Sequence, residues 1–347
     1  MNDIKISFGI IVLNGEPFTR YCVRALYPYA HQIIIVEGAT LNATSISMPN
    51  GHSIDGTLDI LRDIKTNSDP EDKITIITAE DEGHPNGFWP GEKDEMSNAY
   101  AQRCSGNWLW QVDVDEFYLP ESIETMISYL ESNPNTSAAT FDMITFWGAL
   151  DVIVDGYYLR NGARYYHRLF KWRPDYRYIS HRPPTVVDET GRDLRKLEWL
   201  NGNMTTRLGV KLLHYSLLFP KQVLEKSKYY EKAMRPESVN WATHNYFNLS
   251  DPFRVHNVFA YPSWLERYTG NHPEVIHQMM TDIDKRTLMI ERRPMDDAYR
   301  LLNSISYRLY RILYKIRFHI KIYDFILHPV RSFSFFYNKM KINKNIM

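Results

Sequence analysis

The first 113 residues alternate between short apolar runs and amphipathic stretches. "KISFGIIVL" (5–13), "HQIIIVEGA" (31–39), "KITIITAE" (73–80) and "NWLWQVD" (107–113) read as strands. Ile33 to Val36 is apolar on both faces, as a parallel strand covered on both sides requires. Between them, residues 15–30, 55–65 and 92–106 carry helical spacing, the second capped by Ser53 or Asp55 and the third closed by Gly106. Strand, helix, strand, helix at this spacing predicts an α/β fold with a Rossmann-like, mostly parallel central sheet flanked by helices. Further on, 120–134 and 220–234 predict helices, each with Pro at its start, and 137–148 and 164–172 predict strands.

Polar residues at strand ends are the candidate chemistry, because an open parallel sheet binds ligands outside its carboxyl edge. Those ends supply Asn14 and Glu16, then Glu37, then Glu80 to His84, then Asp113, Asp115 and Glu116. Asp113 and Asp115 alternate along an extended segment and so share a face. The expected site is acidic with few cations, suited to a divalent ion that in turn holds a diphosphate.

At this point the chain resembles the nucleotide-sugar-dependent glycosyltransferases of the GT-A fold, family 2, in the branch acting on lipopolysaccharide core and related bacterial glycans. "IIVLNGEP…ALYPYAHQIIIVEGA", "SIDGTLDIL", "GEKDEMSNAYAQRCSGNWLWQVDVDEF" and "HRLFKW…HRPP" followed by "LLHYSLLFPKQVLEKSKYY" carry the likeness, over roughly residues 5–235. The third includes the D-x-D-E motif. The resemblance implies a hexosyltransferase: a sugar leaves a nucleotide diphosphate, with a UDP-sugar preferred as donor, for a saccharide or lipid-linked saccharide acceptor, with inversion. It implies Mn2+ or Mg2+ on Asp115, with Asp113 on the donor ribose or sugar and His214 completing the metal or phosphate site. Glu37 and Asp55 would contact the nucleoside, Asn14 and Glu16 would line the same pocket, and Lys93 would lie near the phosphates.

Two departures from the pattern stand out. Residues 40–52, rich in Asn, Ser, Thr and Gly, separate the second strand from the S-x-D-G-T start. After R-L-F the branch carries H-E, and this chain has His181-Arg182. The candidates for the general base are therefore Asp151, Asp155, His181, Asp188 and Glu189. Arg182 suits an anionic acceptor. A haloacid-dehalogenase phosphatase would want its D-x-D after the first strand, not the fourth. The alternative from another class is an inactive module of the same fold that binds only a nucleotide or glycan.

Composition adds the rest. The 347 residues suit one catalytic domain over 1–220 (nucleotide-sugar half about 1–118, acceptor half about 119–220), a helical and aromatic extension over 221–300, and a basic tail over 301–347. The extension includes Phe259, Tyr261, Trp264 and Tyr268, expected to pack on the 220–234 helix. Net charge is zero, yet 301–347 carries nine Lys and Arg against Asp324 alone. Ile305, Leu309, Ile312, Ile316 and Ile320 repeat at helical spacing beside Arg308, Arg311 and Lys315, the make-up of a helix lying on a membrane surface, here through 301–327. The N-terminus lacks a leader pattern, two cysteines suggest no disulfide scaffold, and nothing indicates nucleic acid. The expected setting is cytoplasmic, peripheral on the inner membrane face.

Overall fold

The computed structural model describes residues 3–91 and 93–327, with side chains through Phe318. Strand β1 (Ile6–Val12), helix α1 (Thr19–Leu26), β2 (Gln32–Glu37), α2 (Thr57–Asn67), β3 (Ile74–Ile77), α3 (Lys93–Gln102) and β4 (Trp108–Asp113) follow in the order the hydrophobic pattern predicts. Then come β5 (Glu116–Phe117), α4 (Pro120–Ser132), β6 (Ala138–Trp147), β7 (Ala149–Gly156), β8 (Tyr165–Lys171), β9 (Arg177–His181) and β10 (Pro184–Val187). After these lie β11 (Trp199–Leu200), α5 (Gly202–Arg207), β12 (Lys211–Leu217), α6 (Pro220–Ala233), α7 (Ser238–Trp241), β13 (Ser263–Arg267) and α8 (Glu274–Asp284). The chain through Pro294 is one compact unit. A second begins at Met295 and contains α9 (Asp296–Asn303) and α10 (Ile305–Leu327).

The central sheet has the order β13-β7-β6-β8-β4-β1-β2-β3. Its β4-β1-β2-β3 half is parallel. From β8 outward to β13, neighbours along this order run antiparallel. The α/β class with flanking helices and C-terminal helices is as expected, and the parallel character is concentrated in the first half. Ile33 to Val36 is fully buried on both faces. Gly9 is required in β1 because a Cβ there would meet the Tyr100 ring at 2.4 Å, so α3 packs directly on the strand backbone.

Strand β6 is shared along its length. Residues 138–142 pair with β8, 142–147 with β12 and 145–147 with β7. Strand β12 also pairs with β5, setting His214 opposite Glu116, and the Tyr215 N–H donates to the Asp115 carbonyl at 2.9 Å. This crossing brings the second half of the chain onto the end of β4. Helix α1 is shorter than the 15–30 pattern because Pro17 precedes it and a Tyr27–Tyr29 turn containing Pro28 ends it.

In the second unit, Ile305, Leu309, Ile312 and Ile316 are exposed along α10. The side chain of Ile320 lies beyond those described, and the basic tail beyond 327 lies outside the described residues. Among the described residues, no helix is long and apolar enough to cross a membrane.

Candidate functional site

A cavity of about 470 Å³ opens at the carboxyl ends of β1 and β4, within the size range of small-ligand sites. Asn14, Glu16, Lys93, Asp113, Asp115, His181, Arg182 and His214 line it, so the structure brings these sequence candidates together. The lining also holds Arg168, Gln222, Glu225, Lys226, Tyr229, Tyr230, Arg235 and His256. Here the expectation of an acidic site with few cations is corrected. Lys93, Arg168, Arg182, Lys226 and Arg235 offset Glu16, Asp113, Asp115 and Glu225. Most of the cations come from beyond β4, where reading the strand ends could not find them.

Each of the three acids after β4 has a separate setting. Arg168, on β8, donates from Nη2 to Asp113 Oδ2 at 3.0 Å and from Nε to Glu116 Oε2 at 2.8 Å. The Asp113 N–H also donates to Glu116 Oε2, at 3.1 Å. Burial works against ionised Asp113, but Arg168, Lys93 and His181 outweigh it and hold its carboxyl at about 2. Burial pushes Glu116 upward, with Arg168 opposing. Asp115 is almost wholly buried; its Oδ2 receives the Lys226 ammonium and the Gln222 amide, the latter at 2.8 Å. His214 Nε2 faces Asp115 Oδ1 at 3.6 Å. Burial would raise Asp115, but Lys226 and His214 keep it well below the ordinary carboxylate range.

Helix α6 reaches the site because Gln222, Glu225, Lys226, Tyr229 and Tyr230 fall on one face at spacings of three and four residues. From sequence alone that polar stripe reads as a solvent face. Its position directly after the "LLHYSLLF" strand is the signal that could have identified it.

The remaining candidates are placed as follows. Glu37 is fully buried and outside the cavity lining. It accepts from the Ser53 N–H at 2.8 Å and the Ser53 hydroxyl at 2.7 Å, and lies 2.8 Å from His52 Nδ1. Asp55, also outside the lining, accepts from the Glu16 N–H at 3.0 Å and from the Thr57 N–H at 3.1 Å. Both tie the 40–56 segment to the β1–α1 turn. Asn14 adds to this, donating to the Ile46 carbonyl at 2.6 Å. Gly51, at φ +78°, crosses Gly87 so closely that a Cβ would stand 1.9 Å from the Gly87 oxygen. The inserted segment is therefore a fixed wall, with Thr40, Ala43 and Ile46 facing the cavity.

Among the base candidates, His181 lines the cavity and the four acids do not. Asp151 pairs with Arg267 at 2.7 Å and Asp155 with Arg160 at 2.8 Å. Asp188 holds its own turn, accepting from Thr190 and Arg192, and Glu189 is exposed. The His181 backbone N–H donates to Asp94 Oδ1 at 2.6 Å, so the acid supplied by α3 holds the main chain here and not the imidazole. Its Nδ1 lies 3.0 Å from Ser97 Oγ. His256 Nδ1 accepts from the Val258 N–H at 2.9 Å, which leaves the proton on Nε2. Among the aromatics of the extension, Trp264 is buried against Tyr157, Tyr268 meets Phe146, and Tyr261 stacks on Tyr158, which lines the cavity.

Burial, then Lys93, pushes His181 down to about 3, and burial, then Arg235, does the same to His256. Both lie below the ordinary 6.5, so as pH falls the unfolded chain takes up protons that the folded chain refuses. Stability should therefore be full above about pH 6.5 and decline below it, by up to about 1.4 kcal/mol per pH unit for each histidine. Asp113 and Asp115 add a loss of the same sign at lower pH, as they protonate. Denaturant midpoints measured from about pH 8 to about pH 4.5 test this, and His256→Gln should flatten the slope.

No family model and no curated protein matches this sequence. Solved structures give partial likenesses. A fragment of TarS from S. aureus in complex with UDP-GlcNAc is similar at a TM-score of 0.32 and 14% identity, over 42% of this chain and 36% of its own. Glucosyl-3-phosphoglycerate synthase from Mycobacterium tuberculosis, in complex with Mn2+, UDP and glucosyl-3-phosphoglycerate, gives 0.27 and 14%, over 42% of this chain and 44% of its own. The chain therefore spans less than half the length of each of these proteins.

Proposed function

We propose that the chain is a glycosyltransferase moving a sugar from a nucleotide-diphosphate donor to a saccharide or lipid-linked saccharide acceptor, with inversion. The observation that carries this reading is one cavity at the parallel strand ends holding Asp113 and Asp115 together with Lys93, Arg182 and Lys226. Carboxylates there suit donor hydroxyls, and the cations suit a diphosphate. Tyr158, Tyr165, Tyr229 and Tyr230 give the cavity aromatic walls of the kind that receive sugar rings.

The acceptor oxygen bonds to the anomeric carbon as the bond from that carbon to the diphosphate oxygen breaks. The electron pair of the broken bond stays on the diphosphate, whose growing charge the cations stabilise. The acceptor proton must pass to a basic group; of the five base candidates His181 is the one that lines the cavity, although burial and Lys93 oppose its protonation.

As a divalent site the donors fit poorly. Asp115 and His214 face one another, but Lys226 already meets Asp115 and Arg168 meets Asp113. Among the described residues no group of three or more His, Cys, Asp or Glu converges. Slow hydrolysis of UDP-, GDP- and CMP-sugars, followed by nucleotide release, tests the function. Turnover of a UDP-sugar is the expected result. Tight nucleotide binding with no turnover of any donor would instead identify a binding module.

A further inference from the structure

We propose that the cation facing the donor diphosphate is carried by the chain itself, on Lys226, with Asp115 as its resting partner. This rests on the nucleotide-sugar reading and names how that site holds its ligand.

The argument begins with occupied lone pairs. Asp115 Oδ2 takes both the Lys226 ammonium and the Gln222 amide. Asp113 Oδ2 takes Arg168 at 3.0 Å. A hard divalent ion needs several oxygen ligands from such carboxylates, and these already carry cationic partners. His214 Nδ1 lies against Met143 Sδ at 3.0 Å, leaving Nε2 alone to face Asp115.

The ammonium is also well mounted. Lys226 sits in the second turn of α6, which starts at Pro220 close behind β12, and β12 is hydrogen-bonded to the segment bearing Asp115. Lys93 at the start of α3 and Arg182 in the turn between β9 and β10 line the same cavity from two other elements. Three cations on three elements can surround a diphosphate without an ion. An ammonium has three N–H donors, so Lys226 can keep Asp115 with one and offer the others to phosphate oxygens. Asp115 then acts as a positioning residue and lies outside the reacting atoms.

The test is calorimetric titration of UDP into the full chain, once with EDTA and once with Mn2+, beside Mn2+ alone followed by electron paramagnetic resonance. The expected result is a Kd in EDTA within about threefold of that in Mn2+, with the Mn2+ signal left free when no nucleotide is present. Lys226→Met should weaken UDP binding in EDTA by about tenfold or more, and Mn2+ should recover part of it because Asp115 then lacks its cation. Lys226→Arg, which keeps the charge, should retain binding in EDTA. UDP binding that requires Mn2+, with the wild-type chain quenching the Mn2+ signal, would overturn the proposal and leave the nucleotide reading intact. No UDP binding under either condition would remove both. If Lys226→Met does not fold, the wild-type measurements decide the matter unaided.

Discussion

Replacing Arg168 with methionine should lower stability by about 3–5 kcal/mol, the largest loss expected from a single change in this chain. The guanidinium is buried and reaches both Asp113 and Glu116. Its removal leaves Glu116 without its cation at a position that solvent cannot enter. Breaking a buried pair by removing one partner is costly because the other charge stays desolvated. The double variant Arg168→Met with Glu116→Gln should recover a large part of the loss. Guanidinium unfolding curves of the three proteins give the comparison, and a single variant as stable as wild type would refute the assignment of Arg168 as the counterion.

The second large effect concerns activity. Asp115→Asn should reduce donor hydrolysis by about 10²-fold, the scale on which a misplaced catalytic group lowers a rate. The carboxylate fixes Lys226 and Gln222, and through the Tyr215 N–H its backbone fixes the end of β12. Asparagine keeps the shape and loses the charge that holds the ammonium. Either a divalent ion or Lys226 would need this carboxylate, so the loss is expected under both. The rate of nucleotide release at saturating donor is the measurement, with the melting temperature as a check on folding. Unchanged turnover would remove Asp115 from the site.

The first half of the fold was legible because its strands are apolar on both faces and end in polar residues, as Ile33 to Val36 and Trp108 to Asp113 do. The second half was less so. Strand β7 alternates buried and half-exposed positions beside a shared β6, and its "ALDVIVDG" carries acids on the outward side. Those acids, Asp151 and Asp155, invited a catalytic reading that their arginine partners, Arg267 and Arg160, oppose. The Asp151 partner lies 116 residues away, which no local pattern reveals. Arg168 was equally hidden, since a charge within "HRLFKW" looks like the exposed side of a strand. Asp113 and Asp115 were readable because their spacing and the strand before them form one local signal. Lys93 and Arg182 could be named from their motifs, but Arg168 and Lys226 could not, because β8 and α6 deliver them through the fold.

The sharing of β6 among β7, β8, β11 and β12 also bears on biosynthesis. A ribosome that has delivered residues 1–150 has released β6, but β8 and β12 are still to come, and β12 ends only at Leu217. Until β8 arrives one edge of β4 stays open and Asp113 and Glu116 lack Arg168, and Asp115 waits longer still for Lys226. Closure of long loops must precede the contacts that reward it. Between the arrival of β4 and that of β8 the chain therefore carries the apolar backbone edge of β4 unpaired, a template for wrong pairing that β8 then removes.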